Sequence, residues 1–478
     1  MTRRAKIGGT LGPATDETAL LRRLVDAGLD VARLNFSHGS PDEHRGRVRQ
    51  LRRVGSAAQR QVGLLADLQG PRFRVGRLED GGLELEEGST VDLVAGRTRA
   101  PSGQVPVAYA ALARDVKRGD PILLDDGKLE LTVERVRKNV VRCSVRRGGT
   151  LTDRKGINLP GTSLSVPALT AKDRRDLALA VELEADWLAV SFVRRAADVR
   201  LARRLLRRAG SDMPVMAKIE RQEAIDRLDE ILAEADGLLV ARGDMGVELP
   251  TERVPMLQKA IIEAGNAAGK PVMTATQMLD SMRVSRRPTR AEATDVANAV
   301  LDGSDCLLLT AETAVGRHPV ESVAMMDRII REAEGSGRGR RAEAPADALS
   351  IQVAVCHAGC AAAVDVDARV IVAFTQGGST ASQTARFRPP QPIVAMTPDE
   401  RVARRLSLSW GVEPRRLPAR GTVEPLVRAM ERALLREKLV RKGDPVVVLL
   451  GSTLGVTGST NLVLVHRAGA IPSGRGRR

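Results

Sequence analysis

Residues 214–250 read PVMAKIERQEAIDRLDEILAEADGLLVARGDMGVELP, and their pattern decides the fold. An apolar run at 215–219 ends in a charged pair, Lys218 and Glu220. Ile225, Leu228, Ile231 and Leu232 follow at helical spacing. A second apolar run begins at Gly237 and ends in Ala241, Arg242, Gly243 and Asp244. The order is strand, helix, strand, with charge at the end of each strand. In parallel α/β proteins such strand ends converge on one site. Two carboxylates and an ammonium meeting there point to a divalent cation and an anionic substrate.

The same alternation extends in both directions. Upstream, strands are expected at 6–10, 30–35 and 62–67, with helices at 18–27 and 41–55. Downstream, strands are expected at 187–192, 271–277 and 306–312, with helices at 172–184, 196–209, 222–234, 253–268 and 290–301. Eight β-α units with functional groups at strand C-termini favour a TIM barrel over an open sheet. From about 72 to 166 the text changes to short alternating strands broken by turns such as Asp125-Asp126-Gly127, an all-β insertion. The stretch GSGRGRRAEAPA reads as a linker before a further α/β domain. The expected division is a barrel from 1–71 and 167–334, a β lid at 72–166, a linker at 335–346 and a C-terminal domain at 347–478.

With only 2% aromatic residues, the core must be built from Leu, Val, Ala and Ile. The net charge of +16 invites a nucleic-acid reading. However, 64 of the 75 basic residues are Arg, scattered over helical faces with few aromatics for base stacking. General Arg bias explains this better than a specific nucleic-acid site. Cys143, Cys306, Cys356 and Cys360 form no C-x-x-C pair, and Cys356-His357 lies on an apolar helical stretch, so buried thiols are expected. No run approaches membrane-spanning length and the N-terminus has no signal-like apolar region, so a soluble cytoplasmic protein is expected.

Six stretches resemble pyruvate kinase: VARLNFSHG at 31–39, DLQGPRFR at 67–74, KGINLPG at 155–161, KIE at 218–220, LVARGDMGVELP at 239–250, and 274–314. The resemblance implies a TIM barrel interrupted by a β domain and followed by an α/β regulatory domain. It implies transfer of a phosphoryl group from phosphoenolpyruvate to ADP, giving pyruvate and ATP, the last step of glycolysis. Glu220 and Asp244 match Mg²⁺ (or Mn²⁺) ligands. Lys218, facing away from Ala217 and Ile219, matches the lysine that neutralises the migrating group, and Arg33 matches a phosphate-contacting arginine. Ala241, Arg242, Gly243 and Asp244 match a turn whose free N–H groups would hold the substrate carboxylate. Thr276 matches the threonine near the protonated face of enolpyruvate, where it would orient a water. Asn35, Phe36, Ser37, His38, Arg74 and Lys155 match nucleotide-contacting positions beneath a lid that excludes water.

One position departs from much of that family. Many members bind K⁺ through residues matching Asn35, Ser37, Asp67 and the Leu68 carbonyl, and carry Glu where this chain has Arg72. A fixed guanidinium there disfavours a monovalent cation, so K⁺-independent activity is expected. Thr375, Gln376, Gly377, Gly378, Ser379 and Thr380 resemble an effector-phosphate loop, although no basic residue follows the glycines. The family implies a homotetramer under allosteric control by a sugar phosphate or nucleotide. Two other readings stay open. Another Mg²⁺-enolate barrel enzyme, an aldolase or lyase, shares the paired carboxylates but has no use for a lid or nucleotide contacts. A nucleic-acid-binding protein is the third.

Overall fold

Apolar runs of four or five residues form eight parallel strands: Lys6–Thr10 (β1), Val31–Asn35 (β2), Gly63–Asp67 (β3), Trp187–Val190 (β4), Val215–Ile219 (β5), Gly237–Ala241 (β6), Val272–Ala275 (β7) and Cys306–Leu309 (β8). In this computed structural model, which describes residues 3–338, 350–418, 422–453 and 458–470, they close into a barrel in which β8 pairs with β1. Alternate residues such as Val31, Leu65, Met216, Leu239, Met273 and Leu308 form one aliphatic cluster, as the inward positions of such a barrel require. The other set, including Leu34, Leu64, Val190 and Leu307, packs against the surrounding helices.

Between β3 and β4 lies a seven-stranded sheet running from Phe73–Arg74 to Gly156–Asn158, with its own core of Leu93, Val105, Ile122, Leu131 and Val141. After the helix Pro319–Gly335 and the residues that are not described comes a five-stranded sheet. Its order is Val412–Arg416, Ile393–Thr397, Val370–Phe374, Pro445–Gly451, Thr460–Arg467, and only the last strand is antiparallel. Of the expected linker, 339–346 lie outside the described residues. All four cysteines are buried and free. Among the described residues no helix is long and apolar enough to cross a membrane.

Several details differ from the sequence expectation, and the strands expected at 187–192, 271–277 and 306–312 end at Val190, Ala275 and Leu309. β6 stops at Ala241, and 242–248 turn into a short helix, because past the barrel rim the chain has no neighbouring strand to pair with. The helix expected at 222–234 breaks at Arg227 into Gln222–Asp226 and Leu228–Glu234. The strand Val412–Arg416, with the sequence VEPRR, lacks the apolar alternation that would have announced it.

At the opposite end of the barrel a single device occurs four times. Asp30, Asp186, Asp236 and Asp305 each immediately precede an even-numbered strand. Each carboxylate accepts the N–H of the first or second residue of the preceding strand: Ile7 (2.9 Å), Leu64 (2.9 Å), Val215 (2.8 Å) and Val272 (2.8 Å). Each aspartate N–H returns a bond to the carbonyl of that same residue. The strand-initial N–H groups would otherwise lack partners in a buried rim. Every one of these carboxylates also meets an arginine: Arg3 and Arg60, Arg52 and Arg404, Arg203, and Arg388 respectively. Arg404 and Arg388 come from the C-terminal domain, so two of the four clamps also dock that domain. Lys6 Nζ to the Val412 carbonyl (2.7 Å) and Trp187 Nε1 to the Arg405 carbonyl (3.0 Å) add to this contact. The docked face is the one away from the strand C-termini, which leaves the latter open to the lid.

Burial pushes the Asp30 carboxyl up, but Arg3, Lys6 and Arg60 outweigh it and hold it below its ordinary value. A depressed carboxylate contributes stability that is present above its unfolded pKa of about 3.9 and lost as pH falls through the folded value. Asp30→Asn keeps an acceptor for the Ile7 N–H. It is expected to melt below the wild type near neutrality, with the gap closing below about pH 4. Thermal melts across a pH series check this; a gap that stays constant into acid would contradict it.

Candidate active site

The C-terminal ends of β2, β3, β4 and β5 bring four charged groups together in a buried patch. Lys218 Nζ donates to Ser191 Oγ (2.7 Å) and lies 2.9 Å from Glu220 Oε1 and 3.4 Å from Asp67 Oδ1. Asp67 Oδ2 accepts from Arg33 Nε at 2.7 Å, and Arg33 Nη1 donates to Thr10 Oγ1 at 3.0 Å. Glu220 Oε2 accepts the Phe192 N–H at 2.7 Å. Burial lowers the Lys218 ammonium, but Asp67, Glu220 and Asp244 outweigh it and hold it protonated above its ordinary value. Burial likewise raises Asp67, but Lys218 and Arg33 pull it below the usual carboxylate range. Glu220 goes the other way, because burial dominates and Lys218 offsets only part of it.

Ser191 and Phe192 were not picked out from the sequence. The available signal was positional: they end the fourth apolar run, and in a barrel every strand end is a candidate. Phe192 also has a positive φ of 53°, which marks a constrained backbone.

Asp244 lies on the helix Arg242–Glu248 and is only partly buried. Its oxygens are 3.1 and 3.3 Å from Arg72 Nη2. The turn expected to offer free N–H groups is partly committed: Gly243 N–H donates to Thr276 Oγ1 at 2.8 Å. Thr276 Oγ1 in turn donates to the Ala275 carbonyl at 2.5 Å, which leaves it one lone pair. Thr276 and Gln277 both adopt positive φ, 73° and 53°. Two successive non-glycine residues in that region are strained and persist only when their surroundings hold them. The Arg242 side chain does so here. It points away from the pocket, donating to the Thr276 carbonyl (2.7 Å) and to Asp295 Oδ1 (2.6 Å).

The loop after β2 is fixed from within. Asn35 Oδ1 accepts the Ser37 N–H at 3.1 Å, Lys172 Nζ reaches the Phe36 carbonyl at 2.5 Å, and Phe36 meets His44 edge to face. Burial, then Arg72, Arg74, Arg33 and Lys172, lower the pKa of His38, so four cations surround it. Arg72, Arg74, Lys155 and Asp244 line an open cleft of about 260 Å³ between barrel and lid. Asn35, Phe36, Ser37 and His38 are not among its lining residues. Lys155 Nζ pairs with Asp125 at 2.9 Å. A separate small pocket of about 80 Å³ in the C-terminal domain is lined by Thr375, Gln376, Ser379, Thr380, Ser459 and Thr460. Gly377 and Gly378 lie outside that lining, and the Gly378 N–H donates to Thr375 Oγ1 at 2.8 Å.

The family model described as pyruvate kinase, barrel domain, matches residues 2–323, and the one described as pyruvate kinase, alpha/beta domain, matches 353–466. The chain belongs to the pyruvate kinase family. A pyruvate kinase of Mycobacterium tuberculosis is 44% identical over 469 residues, covering 98% of this chain and 99% of that protein. One from Corynebacterium glutamicum is 43% identical, covering 98% of each. The crystal structure of a pyruvate kinase from Cryptosporidium parvum superposes with a TM-score of 0.91 at 34% identity, over 98% of this chain and 96% of that one. The activity of this chain is accordingly that of a phosphotransferase, moving the phosphoryl group of phosphoenolpyruvate to ADP.

Pyruvate kinases imply a divalent metal, and the residues present fit one. Among the described residues Glu220 Oε1 is buried with no hydrogen-bond partner, and Lys218 Nζ lies 2.9 Å from it. Among the described residues no group of three or more His, Cys, Asp or Glu is gathered for a metal. A pair of carboxylates, without a full protein cage, suits an ion that keeps waters and binds substrate oxygens. Arg242→Lys keeps the charge but loses the planar fork that holds the Thr276 loop. Its kcat is expected to fall by about tenfold or more, read in a coupled assay; unchanged kcat would show that the loop holds its strained form without Arg242.

Proposed function

We propose that Lys218 and Arg33 neutralise the phosphoryl group as it passes from phosphoenolpyruvate to ADP, while Glu220 and Asp244 hold Mg²⁺ or Mn²⁺ beside it. The observation that carries this reading is the Lys218 ammonium, fixed by Ser191, Glu220 and Asp67 at the mouth of the barrel. A preset charge aimed at developing negative charge costs no reorganisation during the reaction. The bound cation would supply further neutralisation of the phosphoryl oxygens. Asp67 acts indirectly, by keeping both Arg33 and Lys218 charged and aligned. Thr276 orients a water with its remaining lone pair for protonation of the enolate. The Asp244 end of the Arg242–Glu248 helix receives the substrate carboxylate, and the Gly243 N–H becomes available only if Thr276 releases it. Arg74 and Lys155 take the nucleotide phosphates in the cleft under the lid, with His38 contacting the nucleotide from the loop after β2.

The same chain is proposed to work without K⁺. Three of the four oxygens suited to a monovalent ion, those of Asn35, Asp67 and Leu68 but not Ser37 Oγ, have protein partners: Asn35 Oδ1 has Ser37 N–H, Asp67 has Arg33 and Lys218, and the Leu68 carbonyl accepts from Ser191 Oγ at 2.7 Å. Arg72 adds a fixed positive charge close by. A coupled assay should show ATP formation in tetramethylammonium buffer, with less than about a tenfold gain from KCl. Lys218→Gln should lower kcat by about 10²–10³. An unaltered kcat in that variant would remove Lys218 from the chemistry.

A homotetramer is proposed, and an open sheet edge supports one of its two-fold interfaces. The strand Thr460–Arg467 pairs on one side only, and Leu462, Val463, Leu464 and Val465 are all exposed. A long apolar edge is a template for pairing with another chain, and a second copy offers the same edge in antiparallel register. The hydroxyl-lined cavity at Thr375, Ser379 and Thr380 would take the phosphate of an effector in each subunit. Leu464→Lys is expected to halve the assembly mass in light scattering or analytical ultracentrifugation. A variant that keeps the wild-type mass would place the interface elsewhere.

A further inference from the structure

The chain crosses between barrel and lid twice, and both crossings are fastened to buried side chains. Asp173 Oδ1 accepts the Gly70 N–H (3.0 Å) on the outgoing crossing, and its Oδ2 accepts Thr170 N–H (2.8 Å) at the end of the return. On the return, Arg221 Nη2 donates to the Thr162 carbonyl at 3.0 Å, and Arg194 donates to the carbonyls of Leu164 (2.6 Å) and Val166 (2.8 Å). Arg221 is 2% exposed, and it directly follows Glu220.

Its guanidinium also pairs with Glu223, Nε to Oε2 at 3.1 Å, and through Nη1 with Glu248 at 3.3 Å, where the Arg221 and Glu248 side chains are each 2% exposed. Glu248 lies four residues after Asp244 on the same helix, so both share one face. The other Glu248 oxygen accepts from Asn158 Nδ2 at 2.9 Å. Asn158 ends the lid strand Gly156–Asn158, which pairs with Phe73–Arg74 and directly follows Lys155. Arg221 adjoins Glu220 in the chain and Glu248 shares a helix with Asp244, so the two proposed metal carboxylates are linked through Asn158 to the strand that follows Lys155 and pairs with the strand of Arg74. A buried ion pair of this kind is weak as a source of stability but effective at fixing one arrangement.

We propose that Arg221, Glu248 and Asn158 form a positioning relay that sets the lid over the cleft according to the placement of the Asp244 helix. The relay rests on the assignment of Glu220 and Asp244 to the divalent cation. None of the three touches the reacting atoms. Their effect reaches ADP through the lid, whereas phosphoenolpyruvate sits on the barrel side.

The test uses the full-length enzyme and the variants Asn158→Ala, Glu248→Gln and the double. Steady-state kinetics with each substrate varied would be combined with Mn²⁺ titration and thermal melts. The relay predicts that Asn158→Ala raises KM for ADP by about fivefold or more. KM for phosphoenolpyruvate and Mn²⁺ affinity should stay within about twofold. The double variant should be no worse in kcat/KM for ADP than the worse single, because one link is cut twice. Multiplying effects, an unchanged KM for ADP, or a parallel rise in both KM values with a lowered melting temperature would each overturn it. Should Glu248→Gln fail to fold, KM for ADP in Asn158→Ala decides alone. Mn²⁺ affinity that survives Asp244→Asn would overturn the cation assignment, and the relay with it.

Discussion

A single buried ammonium balances the active end of this barrel. Lys218 sits between Asp67 and Glu220, and with Arg33 it leaves two cations facing two carboxylates in a space nearly closed to water. Taking such charges out of water is expensive unless each is paired and hydrogen-bonded. Here strands β2, β3, β4 and β5 must keep register for those pairings to hold. The chemistry and the closure of the barrel at this rim are thus one constraint. A change that loosens the strand ends removes the charge alignment, and a lost charge leaves its partner stranded.

Strain follows from the same arrangement. Phe192, Thr276 and Gln277 hold positive φ at the ends of β4 and β7. The Phe192 N–H is satisfied by Glu220, and Thr276 by Gly243 and Arg242. Gly70 makes a comparable demand at the lid crossing: with φ of 69°, an added Cβ would lie 2.8 Å from the Phe192 ring. Tight backbone approach at one strand end is therefore set by the residue at the next.

Lys218, Glu220 and Asp244 were legible because charge at the end of an apolar run is unusual and its direction follows from strand geometry. The eight-strand count was legible for the same reason. The supporting residues were not. Ser191 reads as an ordinary polar residue, Asp173 as a helix cap, and Arg221 as one arginine among 64. Their roles depend on partners 27 to 103 positions away, and no local period encodes those distances. The committed Gly243 N–H was hidden for that reason too, since its partner is 33 residues downstream.

The four aspartate clamps have a bearing on how the lid came to sit where it does. Leu64 and Asp186 are 122 positions apart, yet they exchange the same reciprocal bonds as the three shorter pairs. Lengthening a loop costs only about 0.6 kcal/mol per doubling, and a hydrogen bond to a charged group contributes about 1.5–3 kcal/mol. The clamp therefore holds β3 and β4 side by side whatever the chain does between them. In modular terms, the loop after β3 is a port. The staves on either side of that port are fastened at the end of the barrel remote from the lid.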